Sequence, residues 1–214
     1  AALDESEGTY SSLLISMTKQ GFITKIASEL ASDAGFDIES NLVELAGNAI
    51  GTRVNTVVHA AVTAVAGAGV TAGTSNAITA DELIDLQFSA DGLVRQLPGA
   101  AYMVNSSTLG AIRKLKDDDG RYILDVVSGG PSTILGIPVI ENPAVEAIGT
   151  AGGTKPVFFG HWPSVKISTT GLMTSVSTDA YFASDVIGYR FTYRLGAGVA
   201  NGSSHLKVLT MAAV

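Results

Sequence analysis

The sequence predicts an α+β fold, because one long helical pattern, a mixed middle and a strand-rich end follow each other along the chain. Between residues 37 and 66, apolar residues recur at steps of mostly three and four, which is the period of an α-helix. Beyond Gly171, apolar and polar residues alternate as they do in half-buried strands. The 214 residues, 46% of them hydrophobic, are enough for one sizeable core or two small domains.

The chain is poor in charge and acidic. Charged residues make up 15% of it, against about a quarter in an average protein, and the net charge is -7. A composition this poor in charge indicates that much of the exterior contacts other protein chains. Residues 1–44 hold eight acids and two bases, and no basic patch stands out elsewhere, so tight nucleic-acid binding is not expected. With no cysteine, disulfides, thiolate metal sites and cysteine nucleophiles are excluded.

The N-terminal residues predict an extended arm followed by a spine helix. A strand-like run, "TYSSLLIS", precedes "KQGF", which has the composition of a turn. The helical pattern then begins at Asp33 or Asp37 as its cap and ends at Gly67. Thirty helical residues would be about 45 Å long. A compact globule of this size is only about 44 Å across, so an elongated protein is expected. No membrane span or signal peptide is predicted, and the opening Ala1-Ala2 suggests a processed or partial chain.

The middle of the chain alternates strands and short helices. The glycine-rich residues 67–77 predict a flexible joint and the first domain boundary. Thr79 and Glu82 form a capping-box pattern at the start of a helix. The buried strand "AAYMVN" leads to the helix "STLGAIRKLK", with Ser106 or Ser107 as its cap. Further strands are expected at "RYILDV", "TILGIPVIE" and "PVFFG".

The C-terminal part is predicted to be all-β. In "GYRFTYRL", the apolar residues alternate with Arg190, Thr192 and Arg194, which should therefore lie on the other face of the strand. Asn201-Gly202 is a strong turn signal, and "HLKVLTM" can form the last strand.

Three features that could indicate chemistry have simpler structural explanations. Asp117-Asp118-Asp119 follows a helix and precedes Gly120, which is typical of a turn, and it lacks the alternating acids of a calcium loop. The glycines of residues 67–73 miss the dinucleotide-binding spacing and follow a helix instead of a strand. Asp81 and Glu82 suit the first turn of a helix.

No catalytic constellation is visible in the sequence. Walker, Gly-x-Ser-x-Gly and His-Glu-x-x-His motifs are missing, and His59, His161 and His205 stand in separate predicted elements. We therefore predict no catalytic, cofactor-binding or metal-binding residue, and a protein that is not an enzyme. An enzyme would require a convergent cluster of titratable groups in a pocket, which the sequence does not display.

Five ordered phrases closely resemble the major capsid proteins of tailed bacteriophages of the Hong Kong 97 type. They cover nearly the whole chain and read "GFITKIASELASDAGFDIESNLVELAGNAI", "LPGAAYMVNSSTLGAIRKLKDDDGRYIL", "STILGIPVIENP", "PVFFGHW" and "DAYFASDVIGYRFTYRLGAGV". The resemblance implies a Hong Kong 97-like capsid fold with four parts along the sequence. These are part of an extended loop (1–20), a peripheral domain with the spine helix (21–76), an axial domain (77–160) and return strands shared by both domains (161–214).

The resemblance also implies function and partners. The chain would be a structural subunit of an icosahedral bacteriophage capsid, assembling in the host cytoplasm into pentamers and hexamers that enclose double-stranded DNA without sequence-specific binding. Portal, scaffold, maturation protease and a decoration protein are possible partners. An encapsulin-like or gene-transfer-particle shell is the alternative. Family members that cross-link use a loop lysine, an asparagine and a glutamate, but the loop before Lys19 has no lysine, and Asp185 and Thr192 replace the other two. Inter-subunit contacts are instead expected between Asp4, Glu5 or Glu7 and Arg190 or Arg194.

Overall fold

Two β-sheets and a long helix make up this computed structural model, which describes residues 12–35, 37–117, 119–122, 133–149 and 152–213. Short 3-10 turns lie at Trp162–Ser164 and Phe182–Ser184. The predicted α+β class is confirmed. In chain order the elements are β1 (Thr18–Ala27), α1 (Ser28–Asp33), α2 (Ile38–Val65), β2 (Gly67–Thr71), α3 (Ala80–Ser89), α4 (Gly92–Gln96), β3 (Ala100–Val104), α5 (Ser106–Arg113), β4 (Thr133–Ile134), β5 (Ile137–Glu141), β6 (Val157–His161), β7 (Val165–Thr169), β8 (Met173–Ser177), β9 (Val186–Val199), α6 (Gly202–His205) and β10 (Leu206–Thr210).

The predicted spine helix is α2, which runs for 28 residues. Its length is about 42 Å at 1.5 Å per residue. Asp37 caps it, since its Oδ1 accepts hydrogen bonds from the backbone N–H of Glu39 at 3.0 Å and of Ser40 at 3.2 Å. Ala46 and Val62 are its buried residues, so most of the helix surface is left open to solvent.

The four-stranded sheet is organised around β9. Strand β1 pairs with β9 along its whole length, from Thr18 opposite Leu195 to Ala27 opposite Val186. On the other side of β9, β8 and β7 pair with its first and last parts. One face of this sheet packs against α2, where Tyr189 and Phe191 meet Ala46. The alternation predicted for "GYRFTYRL" is therefore confirmed, because its aromatic residues face the helix.

The turn predicted at "KQGF" is wrong, because these four residues lie inside β1. Contacts from distant parts of the chain hold them extended. Phe22 stacks on Phe191 with ring centroids 5.1 Å apart. Gln20 Oε1 accepts hydrogen bonds from the Tyr193 hydroxyl at 3.1 Å and from Arg53 Nε at 3.0 Å. The strand predicted at "TYSSLLIS" is also not found in its described part, residues 12–16, which form no regular structure.

The six-stranded sheet has the order β2-β10-β6-β3-β5-β4, and its central strands β10, β6 and β3 are buried on both faces. Tyr102 and Phe159 face a core that includes Leu86 and Leu209. Phe158, the neighbour of Phe159, faces the opposite way, toward Val62 of α2. Burial on both faces explains the unbroken apolar run "PVFFG".

The flexible joint predicted at residues 67–77 is wrong for its first half, which forms β2. This strand pairs in parallel with β10. Its glycines serve close packing instead of flexibility. A Cβ on Gly69 would lie 2.6 Å from Leu86 Cδ1, and a Cβ on Gly67 would overlap the carbonyl oxygen of Ser203.

The predicted capping box at the start of α3 is confirmed, and it does more than cap the helix. Thr79 Oγ1 accepts a hydrogen bond from the Glu82 backbone N–H at 3.3 Å, and Glu82 Oε2 accepts one from the Thr79 N–H at 2.8 Å. The second oxygen, Oε1, accepts a bond from the Gly73 N–H at 2.7 Å. One carboxylate therefore ties the loop after β2 to the helix.

Replacing Glu82 by alanine should lower the free energy of unfolding by about 1–2 kcal/mol, because two backbone donors lose their acceptor. Urea denaturation of the unassembled subunit measures the change. Asp85→Ala, on the exposed side of the same helix, is the matched control and should change it by less than about 0.5 kcal/mol. Equal losses in the two variants would contradict this role of Glu82.

The helix cap predicted at Ser106 or Ser107 is instead Asn105. Its Oδ1 accepts a hydrogen bond from the Ser107 N–H at 3.1 Å, and its Nδ2 donates to the Val145 carbonyl at 2.9 Å. An amide can do both, whereas a serine could not reach across to that loop while capping. Helix α5 also ends earlier than predicted, at Arg113.

The aspartate triplet is a turn, as predicted, in the part that is described. The Gly120 N–H donates to the Asp117 carbonyl at 3.0 Å, and the Arg121 N–H donates to Asp117 Oδ1 at 2.7 Å. Gly120 has a φ of 80°, which a glycine adopts without strain. Asp118 and most of the predicted strand "RYILDV" lie outside the described residues.

The C-terminal part is less uniform than the all-β prediction. Strands β8, β9 and β10 form, but a 3-10 turn and the short helix α6 interrupt them. Asn201 has a φ of 53°, which confirms the predicted turn. The following Gly202 packs against Val65 at the end of α2, where a side chain would overlap.

Candidate assembly surface

Arg190 and Arg194 lie exposed on the face of β9 that points away from α2. The sequence predicted this orientation from the alternation of the strand. Asp4, Glu5 and Glu7, the acids predicted to contact these arginines, lie outside the described residues. Their contact with Arg190 or Arg194 therefore stays a prediction.

Strand pairing adds three lysines to the same side of the sheet. Lys19 lies opposite Arg194, Lys25 opposite Gly188 and Lys166 opposite Gly198. We call this surface the basic face, and it consists of Lys19, Lys25, Lys166, Arg190 and Arg194. The four strands of the sheet contain no aspartate or glutamate. Sequence reasoning missed the basic face, because its members come from three strands, and β1 lies far from β7 and β9 in the chain.

The cations of the basic face have no acidic partner among the residues that the structure describes. Lys25 Nζ lies 4.0 Å from the centre of the Tyr181 ring, which is a cation–π contact. Lys19, Lys166, Arg190 and Arg194 are exposed. Within the described part of the chain, the face therefore presents positive charge without an acidic partner, although the chain as a whole is acidic.

Shallow clefts run along the basic face between its cations. One, of about 260 Å³, is lined by Lys19, Met173 and Arg194, among others. A second, of about 270 Å³, is lined by Ile23, Tyr181 and Arg190, among others. Met173 and Ile23 are 65% and 55% exposed. A surface that combines cations with exposed apolar side chains and shallow clefts suits contact with another protein surface.

The chain reaches the sheet across this same face. A Cβ on Gly196 would lie 2.6 Å from the Ser16 carbonyl oxygen, and one on Gly198 would lie 3.0 Å from Ile15 Cγ1. The Ser168 hydroxyl donates to the Met17 sulfur at 3.2 Å. Two glycines of β9 thus provide the space in which residues 13–16 lie.

Two histidines that the sequence placed in separate elements come together in the fold. The Ser164 hydroxyl lies 2.9 Å from His161 Nδ1 and 2.6 Å from His205 Nδ1. Because a hydroxyl has one hydrogen, it donates to one ring and accepts from the other when both are neutral. Ser164 is 6% exposed. The trio therefore joins the end of β6 to the start of β10, and no local sequence signal could have revealed it.

His59 lies at the contact between α2 and the six-stranded sheet. Its ring meets Phe158 edge-on, with centroids 5.3 Å apart, and its Nδ1 is buried without a partner among the described residues. Burial lowers the pKa of His59 below that of an exposed imidazole, and the Glu146 carboxylate opposes this shift.

The subunit should lose stability as the pH falls below the pKa of an exposed histidine, about 6.5. In that range the unfolded chain takes up a proton at His59 that the folded chain binds less readily, since its pKa is lowered. His59→Gln should therefore reduce the loss of unfolding free energy between about pH 7.5 and pH 5. Urea denaturation at both pH values measures it. Identical pH dependence in the wild type and the variant would contradict this effect.

The described residues include neither a metal-binding cluster nor a membrane-spanning helix. Within these ranges, no group of three or more His, Asp or Glu side chains could hold a metal ion. None of the described helices is long and apolar enough to cross a membrane.

Comparison with solved structures finds this fold in capsids. The chain superposes on the capsid of a native GTA particle with a TM-score of 0.80, at 21% identity, covering 93% of this chain and 74% of that one. For the capsid of an empty GTA particle the TM-score is 0.81 at 20% identity, covering 100% and 81%. A chain of Microbacterium phage Oxtober96 gives 0.70 at 16% identity, covering 92% and 73%. At these identities the likeness concerns the fold. Comparison with curated protein sequences found no match.

A family model covers nearly the whole sequence. The model described as "Phage capsid family" matches residues 1–211. This match agrees with the Hong Kong 97-like fold and with the structural role that the five phrases implied. The chain belongs to the phage capsid family and is a structural subunit of a capsid.

Proposed function

We propose that this chain is the major subunit of an icosahedral tailed-phage capsid, assembling into pentamers and hexamers that enclose double-stranded DNA. The observation that carries the proposal is the family match over residues 1–211. The role would be mechanical, with no catalytic step. The protein would be part of the virion and would assemble in the host cytoplasm, together with a portal and a scaffold or maturation protease, with a decoration protein as a further candidate partner.

The two sheets support an assignment of domains. We assign the peripheral domain to residues 21–76, where α2 packs on the sheet built around β9, and the axial domain to residues 77–160, which supply four strands of the six-stranded sheet. Residues 1–20 would be part of the extended loop. Residues 161–214 return through both sheets, since β7, β8 and β9 lie in one and β10 in the other.

Contacts between subunits would include the acidic N-terminal residues. We assign Asp4, Glu5 and Glu7 to a contact with Arg190 or Arg194 of a neighbouring subunit. Each exposed pair contributes only about 0–1 kcal/mol, so contact area and copy number would dominate the cohesion of the shell. Neutralising the three acids should reduce assembly most at low salt. An unchanged yield of particles would count against this contact.

A gene-transfer-particle shell is the second candidate, and the match to both GTA capsids favours it. An encapsulin-like compartment shares the fold but would hold protein cargo. The phage capsid, the gene-transfer particle and the encapsulin-like compartment differ in their contents. A phage capsid holds one genome, a gene-transfer particle holds fragments of host DNA, and an enzyme compartment holds no nuclease-resistant DNA.

Electron microscopy of native particles tests the proposal. The particles are purified without denaturant and treated with nuclease, and any protected DNA is sequenced. Closed angular shells with five- and six-fold units around protected DNA are expected. A monodisperse monomer of 21.9 kDa, obtained under conditions that keep the chain folded, would contradict self-assembly of this chain.

A further inference from the structure

We propose that the basic face of one subunit docks the acidic end of a second copy of this chain. We define the acidic end as Glu29, Asp33, Glu39 and Glu44, which lie on α1 and the first turns of α2. The inference rests on the proposed function, since it names a contact through which subunits would join. At Arg194 it is an alternative to the arm contact, because it assigns a folded acidic surface to the basic face.

The acidic end is as one-sided in charge as the basic face. Residues 26–52 contain five acids and no lysine, arginine or histidine. Glu29, Asp33, Glu39 and Glu44 are all exposed. Within the described parts of the chain, no cation pairs with any of these four side chains. The fifth acid, Asp37, is already occupied as the cap of α2.

Arg194, at one end of the basic face, cannot meet the acidic end of its own subunit. Helix α2 begins beside Ile187, at the start of β9, and packs on the inner face of the sheet. Arg194 lies seven residues further along β9, which is about 23 Å in a strand, and on the opposite face. The sheet itself stands between them. Among the described residues, the acids of the acidic end can therefore reach Arg194 only from another copy.

Each surface also carries exposed apolar side chains. Leu30 and Leu45 are 56% and 57% exposed beside the acids, and Val43 is 41% exposed. On the basic face, the clefts beside Met173 and Ile23 are of a size that receives such side chains. Charge would then set the orientation of the contact while apolar burial stabilises it.

The geometry of this contact fits closed rings. Because the acidic end and the basic face are different surfaces at different places on the subunit, their contact is head to tail. Repeating a head-to-tail contact closes into a ring when the rotation per subunit is suitable. Nucleic acid is a less suitable occupant of the basic face, because it would leave the acidic end without a partner.

A charge-swap experiment tests the proposal. The first variant, Lys19→Glu with Arg194→Glu, reverses the charges of two residues that lie opposite each other. Because the two side chains carry like charges before and after the change, their mutual repulsion within the subunit stays the same. The second, Asp33→Lys with Glu44→Lys, avoids the first turn of either helix. The third combines all four changes. The control, Asp85→Lys with Asp119→Lys, reverses exposed acids outside both surfaces.

Particle yield is measured by sedimentation at low and high salt, and thermal melting confirms that each variant is folded. Each of the first two variants should lose about tenfold or more in yield at low salt, where exposed charges are least screened. The combined variant should recover most of the yield, and the control should match the wild type.

Each other outcome overturns the proposal in a distinct way. If the combined variant does not recover while the wild type forms shells, this docking is wrong although the proposed function stands. If only the first variant loses yield, together with protected DNA, nucleic acid occupies the basic face. If the yield of the first variant is restored by reversing the charges of Asp4, Glu5 and Glu7, and is not restored by the second variant, the N-terminal arm is the partner of the basic face. If the wild type forms no shell, the proposed function itself fails.

Discussion

Replacing Gly160 by alanine should destabilise the subunit by about 3 kcal/mol or more, which is enough to prevent a marginally stable domain from accumulating. Gly160 lies in β6, opposite Ala101 on one side and Leu206 on the other. A Cβ there would overlap the carbonyl oxygen of His205 and would lie 2.9 Å from Leu206 Cα. Backbone atoms of a paired strand cannot move aside as a flexible side chain can. The added methyl group would therefore force β6 and β10 apart.

The position of β6 makes this separation costly. The strand is central in the six-stranded sheet, between β3 and β10, and it carries Phe158 and Phe159 into the cores on its two faces. Moving it would disturb both cores at once. The yield of soluble folded subunit and its urea denaturation curve measure the effect.

A second glycine supplies the matched control. Gly47 lies within α2, and a Cβ there would meet nothing within 4 Å. Gly47→Ala should therefore raise the free energy of unfolding by about 0.5–1 kcal/mol, because alanine loses less backbone entropy in a helix. If both variants were equally stable, the close approach at Gly160 would not limit the fold.

The sequence predicted the elements whose causes are local. Helix α2 follows from its period, the cap at Asp37 from its side chain, and the start of α3 from Thr79 and Glu82, which are only three residues apart. The wrongly predicted elements are those whose structure depends on contacts with residues far away in the sequence. "KQGF" contains a glycine that indicates a turn, but these residues pair with β9, which lies far away in the sequence, as in Gly21 opposite Thr192. Local propensity does not contain that contact.

The basic face also combines residues that local sequence could place with residues that only long-range strand pairing brings together. Arg190 and Arg194 could be placed on one face from the alternation of a single strand. Lys19 and Lys166 join them only through the pairing of β1 and β7 with β9, which the sequence pattern did not indicate. A prediction of strand order would have been required to see that the acidic chain has a basic face.

Replacing Phe158 by alanine should lower the free energy of unfolding by about 3–5 kcal/mol, the usual loss for a buried phenylalanine. Its side chain is fully buried and packs on Val62 of α2, Val199 of β9 and Leu206 of β10. It therefore joins the spine helix and both sheets. Phe159→Ala should cost a similar amount, because Phe159 is as deeply buried on the other face of the same strand.

The two phenylalanines differ in their contact with His59, and pH dependence separates them. Phe158 packs against the imidazole and excludes water from it, which contributes to the lowered pKa of His59. Phe158→Ala should therefore weaken the loss of stability between about pH 7.5 and pH 5, whereas Phe159→Ala should leave that loss unchanged. Denaturation of both variants at the two pH values measures the difference. If both variants kept the pH dependence of the wild type, the packing of Phe158 would not control the proton affinity of His59. Because Phe158 lies where α2 meets the six-stranded sheet, a positive result would locate the acid sensitivity of the subunit at this junction.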